Sequence, residues 1–95
     1  TYASVARLVK QKEEKLRKYN DVDVKRALTP GDIVYLGKKR RKADPTMKRR
    51  YHVMEAGESL YSISQRFGIR LKSLCKMNPI SRNYHFKVGD EIRIK

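Results

Sequence analysis

Displaced by 58 positions, residues 1–36 of this chain lie on residues 59–94 without a gap. Six positions are then identical: Ser4 with Ser62, Leu16 with Leu74, Lys18 with Lys76, Asn20 with Asn78, Gly31 with Gly89 and Asp32 with Asp90. Apolar character is kept at Val5 and Ile63, Val9 and Phe67, Val22 and Ile80, Leu28 and Phe86, Val34 and Ile92, and Leu36 and Ile94. Matched apolar positions are what a shared core requires, so the 95 residues are expected to build one small fold twice. Units below about 50 residues bury a small part of their surface and are marginally stable.

The second copy has the clearer local pattern. His52–Glu55 predicts a short strand, broken by Ala56-Gly57-Glu58. Ser59 is a good N-cap, and Leu60, Ile63 and Phe67 then share one helical face, closed by Gly68. Leu71, Leu74 and Cys75 predict one side of a second helix running to about Met77, which Asn78-Pro79 ends. Cys75 is expected as a small buried hydrophobe, and Phe86 as a plug from the following loop. Val88-Gly89-Asp90 reads as a turn, and Glu91–Ile94 alternates as a half-buried strand does. The first copy repeats this order from its first helix: Val5 and Val9, then Leu16 and Tyr19, the stop at Asn20-Asp21, the turn at Thr29–Asp32 and a strand at 33–36. Nothing remains to supply its opening strand, which would leave the edge of strand 33–36 open to another chain. With Thr1 inside a structural unit and no initiating Met, the chain is expected to be a piece of a longer protein.

The net charge of +14 is unevenly placed. Residues 37–50 hold eight basic side chains and one acid, half of the net charge in 14 residues with almost no apolar pattern. They are expected to be a solvated basic linker, able to span at most roughly 45–50 Å. One cysteine permits no internal disulfide, and no apolar run approaches the roughly 20 residues of a membrane span. No spacing suggests a metal site, and His52 and His85 read as surface histidines. Glycoside hydrolysis needs two carboxylates across a cleft. The ten acids here fall mostly in turns or on exposed helical positions, so no catalysis and no cofactor are expected.

Residues 51–95 resemble the LysM domain through Tyr51-His52-Val53, Ala56–Ser64, Phe67-Gly68-Ile69, Leu71, Leu74, Asn78-Pro79-Ile80 and Val88–Ile92. Residues 1–36 look like a second LysM lacking its first strand, with residues 37–50 between the two. The paired arrangement is similar to C-terminal tails of bacterial cell-wall hydrolases, most like glucosaminidases of Bacteroides-like bacteria. The resemblance implies an α+β, βααβ fold in which two helices pack on a two-stranded antiparallel sheet. It also implies a non-catalytic, extracytoplasmic role: binding N-acetylglucosamine glycans, peptidoglycan or chitin, and anchoring a parent hydrolase. The implied sugar groove lies between Gly57, Glu58, Ser59 and Leu60 on one side and Asn78, Pro79, Ile80 and Ser81 on the other. In the first copy Thr1, Tyr2, Asn20, Asp21 and Val22 remain as a second site. Glu58 stands where the family more often has Asp, and Val88 where Pro is common; the loop Arg82–His85 is individual to this chain.

Acetamido groups need backbone N–H and C=O partners, while methyl groups and ring faces need small apolar contacts such as Leu60 and Ile80. Tyr2, Tyr61 and Tyr84 are candidates for stacking on sugar rings. Two alternatives remain. Lys38–Lys42 with Lys48–Arg50 could bind nucleic acid or another polyanion, although no aromatic interleaves them to stack on bases. The open strand edge of the first copy could instead mediate self-association.

Overall fold

The computed structural model describes residues 1–23, 26–79 and 85–95. Their elements are α1 (Tyr2–Leu8), α2 (Glu13–Tyr19), β1 (Tyr51–Val53), α3 (Leu60–Phe67), α4 (Leu71–Met77) and β2 (Glu91–Arg93). The chain divides into two compact units, Thr1–Lys39 and Arg40–Lys95.

In Arg40–Lys95, α3 starts at Ser59 with a reciprocal cap. Ser59 Oγ accepts from the Ser62 N–H at 3.1 Å, and Ser62 Oγ accepts from the Ser59 N–H at 2.8 Å. Gly68 ends the helix at φ 66°, a left-handed conformation that a residue without Cβ adopts at little cost. Strands β1 and β2 pair antiparallel, with Tyr51 opposite Arg93, His52 opposite Ile92 and Val53 opposite Glu91. Met54 extends the pairing past β1: its N–H donates to Asp90 O at 2.8 Å, and its carbonyl accepts from the Gly89 N–H at 2.9 Å. The buried core comprises Ala43, Met54, Ile63, Ile69, Leu74, Ile92 and Ile94, with Met47, Leu60, Phe67, Met77 and Phe86 packed around it.

Two sequence expectations fail here. Cys75 is exposed, because α4 buries Leu74 and turns Leu71, Met77 and Asn78 toward the core, so the inward stripe passes beside position 75. The segment 37–50 is no free linker. Ala43 is 2% exposed in the core, and its N–H donates to Ile94 O at 2.7 Å. Arg40 forms a parallel bridge with Ile69, its N–H donating to Gly68 O at 2.8 Å and its carbonyl accepting from the Arg70 N–H at 2.7 Å. Lys95 Nζ donates to the carbonyls of Pro45 and Met47. A two-stranded sheet under two short helices leaves Ile94 and Ile69 uncovered, and sparse apolar residues among the cations suffice to close that side. Lys39 also departs from the solvated reading: it is 4% exposed, pairs with Asp21 at 2.5 Å, and lies 5.9 Å from the centre of the Tyr35 ring.

In Thr1–Lys39, α1 and α2 enclose Tyr2, Ala6 and Leu16, with Val5, Val22, Leu28 and Val34 around them. The strand expected at 33–36 is not among the strands of the described residues, which are β1 and β2. A side chain holds this stretch to the end of α2. The Tyr35 N–H donates to Asn20 Oδ1 at 2.6 Å, while Asn20 Nδ2 donates to Tyr35 O at 2.8 Å and to Leu16 O at 2.9 Å.

These bonds recur in the other unit, 58 positions on. The Arg93 N–H donates to Asn78 Oδ1 at 2.7 Å, and Asn78 Nδ2 donates to Arg93 O at 2.8 Å and Leu74 O at 2.9 Å. The turns correspond as well: the Thr29 N–H donates to Asp32 Oδ2, and the Lys87 N–H to Asp90 Oδ2, both at 3.0 Å. Both helix pairs share a third bond, from the Gln11 N–H to Ala6 O and from the Ile69 N–H to Ser64 O, each 2.9 Å.

Asn78→Asp keeps an acceptor for Arg93 but replaces the amide donor with an oxygen facing two carbonyls. It is expected to destabilise the fold by about 1–3 kcal/mol, the usual cost of orphaning such groups. Thermal unfolding of variant and wild type measures it, and an unchanged melting temperature would mean that the brace contributes nothing.

Candidate functional site

The loop between β1 and α3 turns at Ala56-Gly57, with Gly57 at φ 81° and exposed. Beyond this turn the loop is anchored by the Glu58 carboxylate. Its Oε1 accepts from the Glu55 N–H at 2.7 Å and lies 2.8 Å from His52 Nε2; its Oε2 lies 3.6 Å from Arg66. His52 is the middle residue of β1, whose alternation sends it inward to 3% exposure, with its ring centre 5.2 Å from that of Phe67. The surface reading of His52 is thereby corrected. The inward position was visible in the strand's alternation, but a polar residue there carried no sign of the carboxylate awaiting it.

Burial acts to raise the pKa of Glu58. The hydrogen bonds from His52 and the Glu55 N–H, with the charges of His52 and Arg66, outweigh it and hold the carboxyl below its ordinary value.

The second loop leaves α4 at Asn78, whose amide is committed to Leu74 and Arg93 as described. Pro79 is exposed, while Ile80, Ser81 and Tyr84 lie outside the described residues. Both loops are tied to the same short sheet, one rung apart: Glu58 holds His52, which faces Ile92, and Asn78 holds the adjacent Arg93. Neighbouring strands lie about 4.8 Å apart, so the two anchors are close. The helical hairpin has the same effect, since α3 begins and α4 ends near one end of it, and Leu60 and Met77 pack on one core.

Glu58 and Leu60 are half-buried; Gly57, Ser59 and Pro79 are exposed. The polar side chains of Glu58, Ser59 and Asn78 are already engaged within the protein. Among the described residues these loops therefore present backbone N–H and C=O groups, with Leu60 and Pro79 as apolar surface. Such a surface suits a neutral, amide-bearing ligand better than an ion.

The corresponding residues of the first unit are occupied differently. Tyr2 is 3% exposed, with the Arg17 guanidinium 4.6 Å from its ring centre, so its face is closed to a sugar. Asn20 is fully buried, Asp21 pairs with Lys39, and Val22 packs on the core. Thr1 alone is exposed, and its Oγ1 accepts from the Ser4 N–H.

The LysM domain family matches residues 52–95, a little under half of the chain. No curated protein matches the chain. Among solved structures, the Bacillus cereus spore cortex-lytic enzyme SleL is similar at 23% identity with a TM-score of 0.45. The match covers all of this chain and 20% of that one, so the chain spans about a fifth of that protein's length.

A carboxyl whose folded pKa is depressed stabilises the fold above its unfolded value and loses that contribution as pH falls through the folded one. Glu58→Gln is thus expected to lower the melting temperature at pH 7, with the gap from wild type shrinking below about pH 4. A gap independent of pH would exclude the ionised carboxylate as the loop's anchor.

Proposed function

We propose that the LysM domain binds N-acetylglucosamine-containing glycans of the peptidoglycan or chitin type between Gly57, Glu58, Ser59 and Leu60 and Asn78, Pro79, Ile80 and Ser81. It does so without catalysis, and it anchors a parent cell-wall hydrolase of the glucosaminidase type outside the cytoplasm. The reading rests on the LysM match over 52–95, together with two loops pinned to adjacent rungs of one sheet. Acetamido groups would bond to loop backbone, and sugar faces would lie on Leu60 and the Pro79 ring. A shallow surface with few converging polar groups gives modest affinity.

The unit Thr1–Lys39 belongs to the same proposal as a second, truncated LysM-like module. Its Asn20 brace and its Asp32 turn match those of the LysM domain bond for bond. Its lateral residues are engaged in its own packing, so Arg40–Lys95 carries most of the sugar binding. A weaker contact from the first unit would still raise retention on a polymer, through effective concentration.

Titration of isotopically labelled chain with chito-oligosaccharides is expected to shift the amides of 57–60, 78, 80 and 81 before any others. Shifts confined to Thr1–Lys39, or none at millimolar sugar, would remove the groove assignment.

A further inference from the structure

One face of the Arg40–Lys95 unit is unusually charged. Arg41, Lys42, Arg70, Lys72 and Lys76 line an open pocket of about 470 Å³, with Ser73 and Met77 between them. Among the described residues the lining holds no carboxylate and no aromatic ring. The cations come from two distant stretches of sequence, brought side by side by the bridge between Arg40 and Ile69. That bridge sets Arg41 and Lys42 beside the start of α4, while Lys72 and Lys76 project from α4 one turn apart. None of the ion pairs among the described residues involves Arg41, Lys42, Lys72 or Lys76; the nearby Asp44 pairs with Arg40 instead. Holding five like charges together costs repulsion that a counter-charge would relieve.

We propose that this pocket binds the phosphodiester groups of an anionic, base-free wall polymer, on residues separate from those of the glycan groove. Closely spaced full charges match phosphates better than neutral sugars, and the mixture of Arg and Lys offers both fork-shaped and point donors. None of the described lining residues offers an aromatic platform on which nucleobases could stack, which favours a ligand read by its charge spacing. The choice of a wall polymer over other phosphodiesters rests on the glycan-binding reading; the anion site itself does not. A strand carrying both sugars and phosphates could engage groove and pocket together.

The test uses the full chain and three ligands: poly(glycerol phosphate), oligo(dT) of equal charge, and a chito-oligosaccharide. Five phosphate contacts give a logarithmic salt slope of roughly 3–4, or about a hundredfold loss between 50 and 200 mM salt. The double substitution Lys72→Glu and Lys76→Glu is expected to weaken poly(glycerol phosphate) binding at least tenfold and to leave chito-oligosaccharide binding unchanged. Lys48→Glu with Arg49→Glu changes net charge equally at exposed positions outside the pocket, and should weaken binding far less. Equal losses from the two pairs would overturn the site in favour of diffuse attraction to a basic chain. Tighter binding of oligo(dT) than of poly(glycerol phosphate) would overturn the wall polymer in favour of nucleic acid. Retained phosphate binding with no sugar binding would sink the glycan reading alone.

Discussion

A side-chain amide substitutes for a strand in this protein. Asn78 reaches from the end of α4 to the main chain at Arg93, accepting its N–H and donating to its carbonyl, and adds a bond back to Leu74. A β-ladder partner would make the same pair of bonds. A sheet of two three-residue strands is marginal in isolation, and helices of seven or eight residues are too short to persist alone. The amide welds helix end to strand, so that neither must be stable by itself. In the first unit Asn20 makes the same three bonds to Tyr35 and Leu16. The same brace thus recurs 58 positions apart, in both units.

Most of the second unit was legible in the sequence, because its elements follow from local chemistry. Ser59 with Ser62, the Leu60–Ile63–Phe67 spacing, Gly68 and Pro79 each act within a few residues of themselves. Of the matched apolar positions, Val5, Val22, Leu28 and Val34 pack on the first core and Ile63, Ile92 and Ile94 are buried in the second, whereas Leu36 is exposed. The misreadings share a cause: interactions that cross the sequence leave no periodic trace. Ala43 lies among cations and reads as part of a solvated run, yet it bonds to Ile94. Lys39 reads as one more linker charge, yet it is buried against Asp21. His52 reads as a surface imidazole, yet its partner is six residues away across a turn. The loops that follow β1 and α4 could be bounded from sequence, but the engagement of Glu58 and Asn78 within the protein could not. Under the proposed glycan reading, that engagement moves recognition from these two side chains to the backbone.

Charge and sugar readings need not compete, since they fall on different residues. The loops at Gly57–Leu60 and Asn78–Pro79 offer backbone groups and small apolar surface, whereas the pocket beside α4 offers five cations. The basic stretch that seemed a mere connector contributes Arg41 and Lys42 to that pocket because Arg40 is bonded to Gly68 and Arg70. Structure converts a compositional property into a local one.

The strap formed by residues 40–47 also bears on where this module can be cut. Family limits begin at residue 52, and a piece trimmed there would lose Ala43, Met47 and the carbonyls of Pro45 and Met47 that hold the Lys95 ammonium. Ile94 and Ile69 would then face water. The autonomous piece of this protein is therefore longer than its recognisable motif, and its hidden portion is written in residues that resemble nothing but a spacer.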